Sequence, residues 1–162
     1  MAITTGTGVT FAIGTTAPAN DAMSFAQDSY QLVGEVSEIG EFGPSRSIVE
    51  FASLDDGRVR ELRGVENLGD LTVAYADDGT NEGQQDMEDA YAVQSHAADE
   101  FNFRIQLNDS QGAGLAPTTI YLRAKVSGLV IQSITNGGVV RRRATLAIND
   151  FVRVPAEEAS SS

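Results

Sequence analysis

The chain has 162 residues, of which 41% are hydrophobic, and a formal net charge of -12 from 23 acidic and 11 basic residues. This length suits one domain with a core, and a strongly acidic surface repels phosphates, which argues against specific nucleic-acid binding. Because the chain contains no Cys, disulfides, thiolate nucleophiles and Cys-based metal sites are excluded.

The ends of the chain carry no targeting signal that we recognise. No apolar run approaches the roughly 18 residues of a membrane-spanning helix, and the start, MAITTGTGVTF, is unlike a secretory signal. We therefore expect a soluble protein with no membrane partner. Residues 1–8 are rich in Thr and Gly, and residues 155–162 are rich in Ala, Glu and Ser. These compositions predict a single domain over residues 1–162 with two short arms that a neighbour would order.

Alternation of apolar and polar residues predicts several strands in the first half of the chain. Apolar residues alternate over 9–13, and a charged strand follows over 30–39. Gly40, Gly43 and Pro44 interrupt it, and the pattern resumes over 48–51 and 58–62 around an Asp55-Asp56-Gly57 turn. A further short strand is marked by Leu71, Val73 and Tyr75.

A helix and a set of longer strands are predicted in the second half. Residues 81–94 place Met87, Ala90 and Tyr91 on one side, and residues 77–81 offer capping residues. Strands follow over 101–107, over 119–134 with a bend at Gly128, and over 139–148 after a Gly137-Gly138 turn. Many short strands and one helix predict a mainly β fold: a β-sandwich or small barrel with a flanking α-helix.

Candidate catalytic and metal sites have simpler structural interpretations. His96 is the only histidine, and no nucleophile motif accompanies it, so we interpret it as an ordinary helix-end residue. The acidic run 77–82 offers oxygen ligands, but its spacing does not match an EF-hand loop, and a helix-capping turn explains it. We expect no enzyme activity, no metal and no cofactor.

Arg141, Arg142 and Arg143 form the only basic cluster in a chain with ten Arg and one Lys. On a strand, Arg141 and Arg143 would point to one face and Arg142 to the other. A patch of this size is weak evidence for nucleic-acid binding, so we favour pairing with acids of a neighbouring strand or subunit.

One segment carries a family resemblance. The residues concerned are Val33-Gly34-Glu35-Val36, Pro44, Arg46, Glu50-Phe51, Ser53-Leu54-Asp55-Asp56-Gly57, Gly64, Gly69 and, with the helix that follows, Gln84-Gln85. In this order they resemble the major tail tube proteins of long-tailed, siphovirus-like phages and gene transfer agents. Ala52 departs from the family pattern, which more typically has Thr there.

The resemblance implies a fold and a function. The fold would be two packed antiparallel sheets with a flanking helix, and subunits would join as hexameric rings that stack into a tube. The tube would carry the genome from the capsid to the host without specific DNA binding. Partners would be further copies of the chain, a tape measure protein, a tail terminator and a distal tail protein. The location would be the virion tail, assembled in the host cytoplasm.

Two sets of charged residues are candidates for sites within such a tube. Dense charge alternation in one loop, together with the basic cluster, predicts contacts between subunits or rings at Asp55, Asp56, Arg58, Arg60, Arg63, Arg141 and Arg143. A net negative channel wall would keep DNA from adhering. Because they lie on or beside strands of the family-like segment, the candidates for lining the lumen are Glu35, Glu38, Glu50 and Asp70.

Three other functions stay open at this point. The first is the tube protein of a type VI secretion-like system, which would have a similar fold. A non-catalytic virion-surface β-sandwich that binds a ligand would favour exposed aromatic residues, yet aromatic content is 7% with no Trp. A tail-associated hydrolase would need a nucleophile or metal motif.

Overall fold

The computed structural model describes residues 6–52, 54–55, 57–94 and 99–157. The strands within these residues are β1 (Thr10–Ile13), β2 (Gln31–Val33), β3 (Val36–Ile39), β4 (Ser45–Ala52), β5 (Val59–Asn67), β6 (Asp70–Ala76), β7 (Glu100–Gln106), β8 (Thr119–Ile131) and β9 (Arg141–Val154). The helices are α1 (Ala22–Ala26) and α2 (Glu82–Ala92). The predicted fold class is confirmed: the protein is mainly β, with two antiparallel sheets and a flanking helix.

The larger sheet has seven antiparallel strands in the order β2-β1-β7-β8-β9-β6-β3. Its two edge strands are consecutive in the chain, separated only by Gly34 and Glu35. The sheet must therefore curl until its edges approach each other, as in a barrel that is open along one seam. The second sheet is the two-stranded hairpin of β4 and β5, which leaves the barrel between β3 and β6.

The core lies on the inner face of the curled sheet. Alternate residues of the strands point inward, as the period-two pattern predicted, and Met87 and Ala90 of α2 join them. The largest fully buried side chains are Tyr75, Phe11, Phe25, Phe103, Ile13, Leu71, Met87, Ile105, Leu122 and Leu146. All of these except Phe25 belong to the inner core.

Gln84, a buried residue of α2, connects the helix to the seam of the barrel. Its side-chain amide donates to the carbonyl oxygens of Gly34 and Ala76, both at 2.9 Å, and its Oε1 accepts from the Asp78 backbone N–H at 2.8 Å. Gly34 follows one edge strand, and Ala76 ends β6 next to the other. Asn81 caps α2 through Gln84 N and also accepts from Gly34 N. One polar cluster thus holds the helix and both sides of the seam.

Gly83 allows this close approach of α2 to β2. A Cβ added at Gly83 would meet the carbonyl oxygen of Leu32, and would lie 2.5 Å from the Leu32 carbonyl carbon and 2.8 Å from the Val33 Cα. Any side chain here would force backbone atoms apart. Glycine is therefore required by the contact between helix and strand.

The segment over residues 14–30, which includes α1, covers part of the outer face of the sheet. Phe25 of α1 stacks on Tyr121 of β8 with ring centroids 5.4 Å apart. Asp28 accepts from Thr15 N at 2.8 Å, from Thr15 Oγ1 at 2.6 Å and from the Asn102 amide at 2.7 Å. Arg123 donates to Asn102 Oδ1 and to the Ala17 carbonyl. This polar network fixes the segment on β7 and β8.

The structure differs from the sequence-based expectations in several places. The strand expected over 30–39 is two strands, the last strand continues to Val154, and α1 was not predicted. The described parts of both arms are bonded to the body: Asn108 donates to the Thr7 carbonyl, and the Ala156 N–H donates to Thr118 Oγ1. Asp56, His96 and residues 1–5 and 158–162 lie outside the described residues.

Within the ranges given above, the longest helix is α2 with 11 residues, and none of the helices is long and apolar enough to span a membrane.

Replacing Gln84 by Leu should destabilise the protein by about 2–4 kcal/mol, because it removes the hydrogen-bond partner of two part-buried carbonyl groups and one part-buried N–H. Urea unfolding of the two proteins measures the difference. Gln85→Leu is the matched control, since Gln85 is exposed and its side-chain amide donates to the Gly79 carbonyl. Equal stability of the Gln84 and Gln85 variants would show that the seam does not depend on this amide.

Asp28→Asn should remove stability that depends on pH. Burial acts to raise the pKa of the Asp28 carboxyl, but hydrogen bonds from Thr15, Asn102 and Ser29 outweigh it and hold the pKa below its usual range. A lowered folded-state pKa stabilises the protein above the unfolded value of about 3.9, and this contribution is lost as pH falls through the folded pKa.

Unfolding in urea at pH 7, 5 and 3 tests this expectation. The stability gap between the parent protein and the Asp28→Asn variant should be widest at pH 7 and should shrink towards pH 3. Glu41→Gln, a change to an exposed carboxylate, is the control and should follow the parent throughout. A gap of constant size would mean that the carboxylate charge is not what holds the segment.

Candidate assembly surfaces

The β4–β5 hairpin exposes apolar side chains on both of its faces. Every residue of β4 is exposed, and five of the larger apolar side chains of β4 and β5 are between 51% and 62% exposed: Ile48, Val49, Phe51, Val59 and Leu62. A two-stranded hairpin without a core is marginally stable by itself in water. Such a surface is typical of a segment that becomes buried against another molecule.

The strand register assigns these side chains to two faces. One face carries Ile48 opposite Arg63, Glu50 opposite Glu61, and Ala52 opposite Val59. The other face carries Val49 opposite Leu62, and Phe51 opposite Arg60. Glu50 and Glu61 are therefore direct cross-strand neighbours, an arrangement in which like charges repel. Neither carboxylate makes an ion pair with the residues that the structure describes.

The root of the hairpin is tied by polar contacts, while several predicted interface residues lie nearer its turn. Arg46 and Glu66 form an ion pair at 2.7 Å, and Ser45 Oγ donates to the Asn67 carbonyl. Towards the turn, the predicted residues Asp55, Arg58 and Arg60 each already make an interaction of their own. The structure places all three with Arg63 on this hairpin, as the sequence suggested, and Asp56 lies outside the described residues.

The tip of the β8–β9 hairpin forms a second exposed surface. Val130, Ile131, Ile134 and Val139 are between 48% and 68% exposed. An open depression of about 650 Å³ lies here, and Arg141 and Arg143 belong to its lining together with Val130, Gln132 and Val139.

The three arginines alternate in direction, as predicted. Arg141 and Arg143 are exposed, whereas the Arg142 side chain is only 13% exposed and forms an ion pair with Glu88 of α2. Arg141 and Arg143 make no ion pair with any residue of the described ranges. Two exposed guanidinium groups thus lie side by side on one face of the tip.

The two surfaces lie towards opposite ends of the larger sheet. Strand β9 begins at Arg141 beside the tip, and Asp70, where the chain re-enters the sheet from the hairpin, pairs with Ala147. Ile148 N donates to the Gly69 carbonyl at the hairpin root. At about 3.3 Å per residue, the strand from Arg141 to Ala147 spans roughly 20 Å. The root of the hairpin and the tip therefore lie at opposite ends of β6.

The outer face of β3, β6 and β9 carries mostly small or charged residues. Glu38 and Arg143 both lie beside Ala74, Thr72 pairs with Thr145, and Asp70 pairs with Ala147. In the register, Lys125 of β8 also pairs with Ala147, and its ammonium group lies 3.3 Å from an Asp99 carboxylate oxygen. This face is regular, small in side-chain volume and mixed in charge.

The residues predicted to line a lumen do not form one group. Glu38 and Asp70 share the outer face of β3 and β6, whereas Glu50 lies on the β4–β5 hairpin beside Glu61. Glu35 lies in the crossing between β2 and β3, with a positive φ of 60°. The face that holds Glu38 and Asp70 also holds Arg141 and Arg143, which the sequence had assigned separately to subunit contacts.

Sequence reasoning missed the exposed apolar residues of the β4–β5 hairpin. The available signal was the adjacency of Ile48, Val49 and Phe51, which places apolar side chains on both faces of one strand. A strand that packs on a core through one face shows strict alternation instead. Glu61 belongs to the charged loop seen in the sequence, but only the register shows that it lies opposite Glu50.

No family model and no curated protein matches this sequence. Solved structures do share its fold. The "PVC sheath/tube terminator in extended state" of an extracellular contractile injection system matches with a TM-score of 0.70 at 11% identity, over 95% of this chain and 98% of that one. The SPP1 tail tube matches with a TM-score of 0.64 at 15% identity, over 93% and 78% of the two chains.

A chain from the six-fold symmetrised baseplate of the anti-feeding prophage also matches, with a TM-score of 0.66 at 12% identity, over 96% and 97% of the chains. At these identities the similarity is one of fold. The chain is thus similar in fold to proteins of phage tails and contractile injection systems along nearly its whole length.

Phe51→Ala should change the free energy of unfolding of the isolated subunit by no more than about 0.5 kcal/mol, because Phe51 is exposed on the hairpin. Phe103→Ala should cost about 3–5 kcal/mol, since Phe103 is fully buried and stacks on Phe11. Urea denaturation at low protein concentration measures both. A large loss of stability for Phe51→Ala would mean that the hairpin is packed on its own subunit.

Proposed function

We propose that this protein is the structural subunit of a tail tube in a phage or phage-like particle, and that it acts by self-assembly. The observation that supports this most directly is the pair of exposed apolar surfaces, the β4–β5 hairpin and the β8–β9 tip, at opposite ends of a tail-tube fold. Different surfaces that meet head to tail produce rings or filaments rather than closed two-fold dimers.

Six copies form a ring, and the rings stack into a tube. The six-fold symmetry of the anti-feeding prophage baseplate, which contains a chain of this fold, supports the ring size. The exposed hairpin suits a contact between copies, because burial of its apolar side chains would stabilise both the hairpin and the assembly. Asp55, Asp56, Arg58, Arg60 and Arg63 on or near this hairpin would help to fix the register of the contact.

The outer face of β3, β6 and β9 lines the channel. Its small side chains, such as Ala74, Thr72 and Thr145, form a smooth wall, and Glu38 and Asp70 contribute negative charge. DNA passes this wall without specific binding, since few cations are present to hold its phosphates. Towards the β8–β9 tip the same face carries Arg141 and Arg143, which we assign to a contact between copies and not to the wall.

The partners of this tube subunit are further copies of itself, a tape measure protein, a tail terminator and a distal tail protein. It belongs to the virion tail and is assembled in the host cytoplasm. Its role is structural rather than enzymatic and needs no cofactor.

A second candidate is the tube of an injection system that delivers protein rather than DNA. The fold match to the terminator of an extracellular contractile injection system favours it. Both candidates share the self-assembling tube and differ in the cargo. Mass spectrometry of native particles, together with a nuclease-protection assay for enclosed DNA, separates them.

Negative-stain electron microscopy of the purified protein at high concentration tests the proposed assembly. Rings with a central hole, or tubes built from them, are the expected result. Sedimentation velocity over a wide concentration range provides a second measurement. A protein that stays monomeric at every concentration, with no particles in the images, would be incompatible with a self-assembling tube.

Reversing charge at the channel wall should slow DNA release. In particles that carry Glu38→Lys and Asp70→Lys, the added ammonium groups attract phosphates, and the delay should be greatest at low salt because screening weakens it. Dye-detected genome ejection measures the rate after microscopy has shown normal tails. Glu41→Lys, at an exposed position between β3 and β4, is the control. An unchanged rate of DNA release at low salt would contradict the assignment of Glu38 and Asp70 to the channel wall.

A further inference from the structure

We propose that the Glu50–Glu61 face of the β4–β5 hairpin of one copy docks on the Arg141–Arg143 surface at the β8–β9 tip of the next copy. This inference rests on the proposed function, because it names the two surfaces through which the subunits of the tube meet. It commits to a second copy of this chain as the occupant of the tip.

The hairpin face carries a charge repulsion that no ion pair among the described residues of its own subunit neutralises. Glu50 and Glu61 are direct cross-strand neighbours, so their carboxylates repel each other, and neither has an ion-pair partner among the described residues. Arg63 lies on the same face opposite Ile48, so this face carries two negative charges and one positive charge. Two further cations, supplied by another molecule, would reduce the repulsion between the two carboxylates.

The tip face offers the complementary charges. Arg141 and Arg143 lie two residues apart on one strand and point to the same side, which separates them by about 7 Å. Directly opposite side chains on a hairpin are about 5 Å apart at Cβ, so the long Glu and Arg side chains need to adjust by only about 2 Å for each carboxylate to meet one guanidinium group. Each planar guanidinium can form paired hydrogen bonds with one carboxylate.

Apolar side chains flank the charges on both surfaces. Ile48 and Val59 lie beside the glutamates on the hairpin, at 56% and 62% exposure. Val130 and Val139 lie beside the arginines on the tip, at 48% and 63% exposure. Contact between these groups would exclude water around the ion pairs, and it would bury surface that both subunits leave exposed.

The position of the surfaces gives the contact its direction. The hairpin leaves the sheet near Ile148 and the tip lies beyond Arg141, and within one copy no ion pair of the described residues joins the glutamates of the hairpin to the arginines of the tip. Each docked copy therefore presents a free tip or a free hairpin to the next, and the contact propagates. Within a subunit, the acid facing Arg143 on its own side of the sheet is Glu38, across Ala74, and no ion pair joins them.

Charge reversal with rescue tests the docking directly. One variant carries Glu50→Arg and Glu61→Arg, a second carries Arg141→Glu and Arg143→Glu, and a third combines all four changes. Each double variant should lower the yield of sedimentable assemblies at least about tenfold, because two pairs become repulsive at every contact. The quadruple variant should recover assembly, and so should an equimolar mixture of the two double variants, in which each reversed surface meets its complement.

Two controls separate a specific contact from a general effect of charge. Glu41→Arg and Arg153→Glu reverse exposed charges outside the two surfaces and should assemble as the parent does. Circular dichroism and urea unfolding of the isolated subunits should show that all variants keep the fold, since every changed side chain is exposed. Sedimentation velocity of the mixed double variants detects their association even where no tube forms.

The outcomes are distinct. If the parent protein forms no rings or tubes, the proposed function fails, and association of the mixed double variants still reports on the docking. Two results would contradict the docking while supporting a self-assembling tube. In one, the parent forms tubes and the double variants assemble normally. In the other, the parent forms tubes and the quadruple variant assembles no better than the double variants. If the parent binds duplex DNA and Arg141→Glu with Arg143→Glu abolishes this binding, the arginines contact DNA in the channel wall and the inference is overturned.

Discussion

The seam closed by Gln84 is the constraint on which the rest of the structure depends. A seven-stranded sheet whose edge strands are consecutive in the chain leaves polar backbone groups buried where the chain crosses from one edge to the other. The amide of Gln84 satisfies the Gly34 and Ala76 carbonyl groups together, and Gly83 lets the helix come close enough for this.

The β4–β5 hairpin and the β8–β9 tip carry the two surfaces that we propose for assembly. The barrel buries a continuous apolar core of its own. The hairpin has no core of its own and exposes apolar residues on both faces, and the tip exposes four more. An interface that buries both the hairpin and the tip would stabilise the hairpin through assembly. In the free subunit, the Arg46–Glu66 ion pair ties the root of the hairpin.

Much of this fold could be predicted from local sequence, for physical reasons that can be stated. Alternation over residues 101–107 and 119–126 follows from a sheet with one buried face, and Asn81 marked the start of α2. The split between β2 and β3 could not be predicted, because it depends on a positive φ at Glu35 that few non-glycine residues adopt. Helix α1 has five residues and is held by a capping box of Asp21 and Ser24, so it shows no helical periodicity.

The sequence identified charged residues of the candidate site but not which of them lie together. The charged loop and the pair Arg141 and Arg143 were recognised from sequence, and their alternation on β9 is confirmed. The grouping of Glu50 with Glu38 and Asp70 depended on which strands share a face, and pairing between strands distant in sequence decides that. The irregular register between Arg46 and Ile48 shows the difficulty, because a shift of one residue moves every later side chain to the other face.

In the tube that we propose, net charge sets the balance between apolar attraction and charge repulsion. Copies that each carry a formal charge of -12 repel one another, but at physiological ionic strength this repulsion is screened beyond about 8 Å. Close contacts therefore decide the assembly, and apolar burial at the hairpin and the tip supplies its main driving force. Ion pairs at the rim of such a contact contribute little net energy by comparison, but a mismatched pair is costly, so the charges chiefly select one register among several. An acidic surface thus keeps free subunits apart in solution while leaving the specific contact intact.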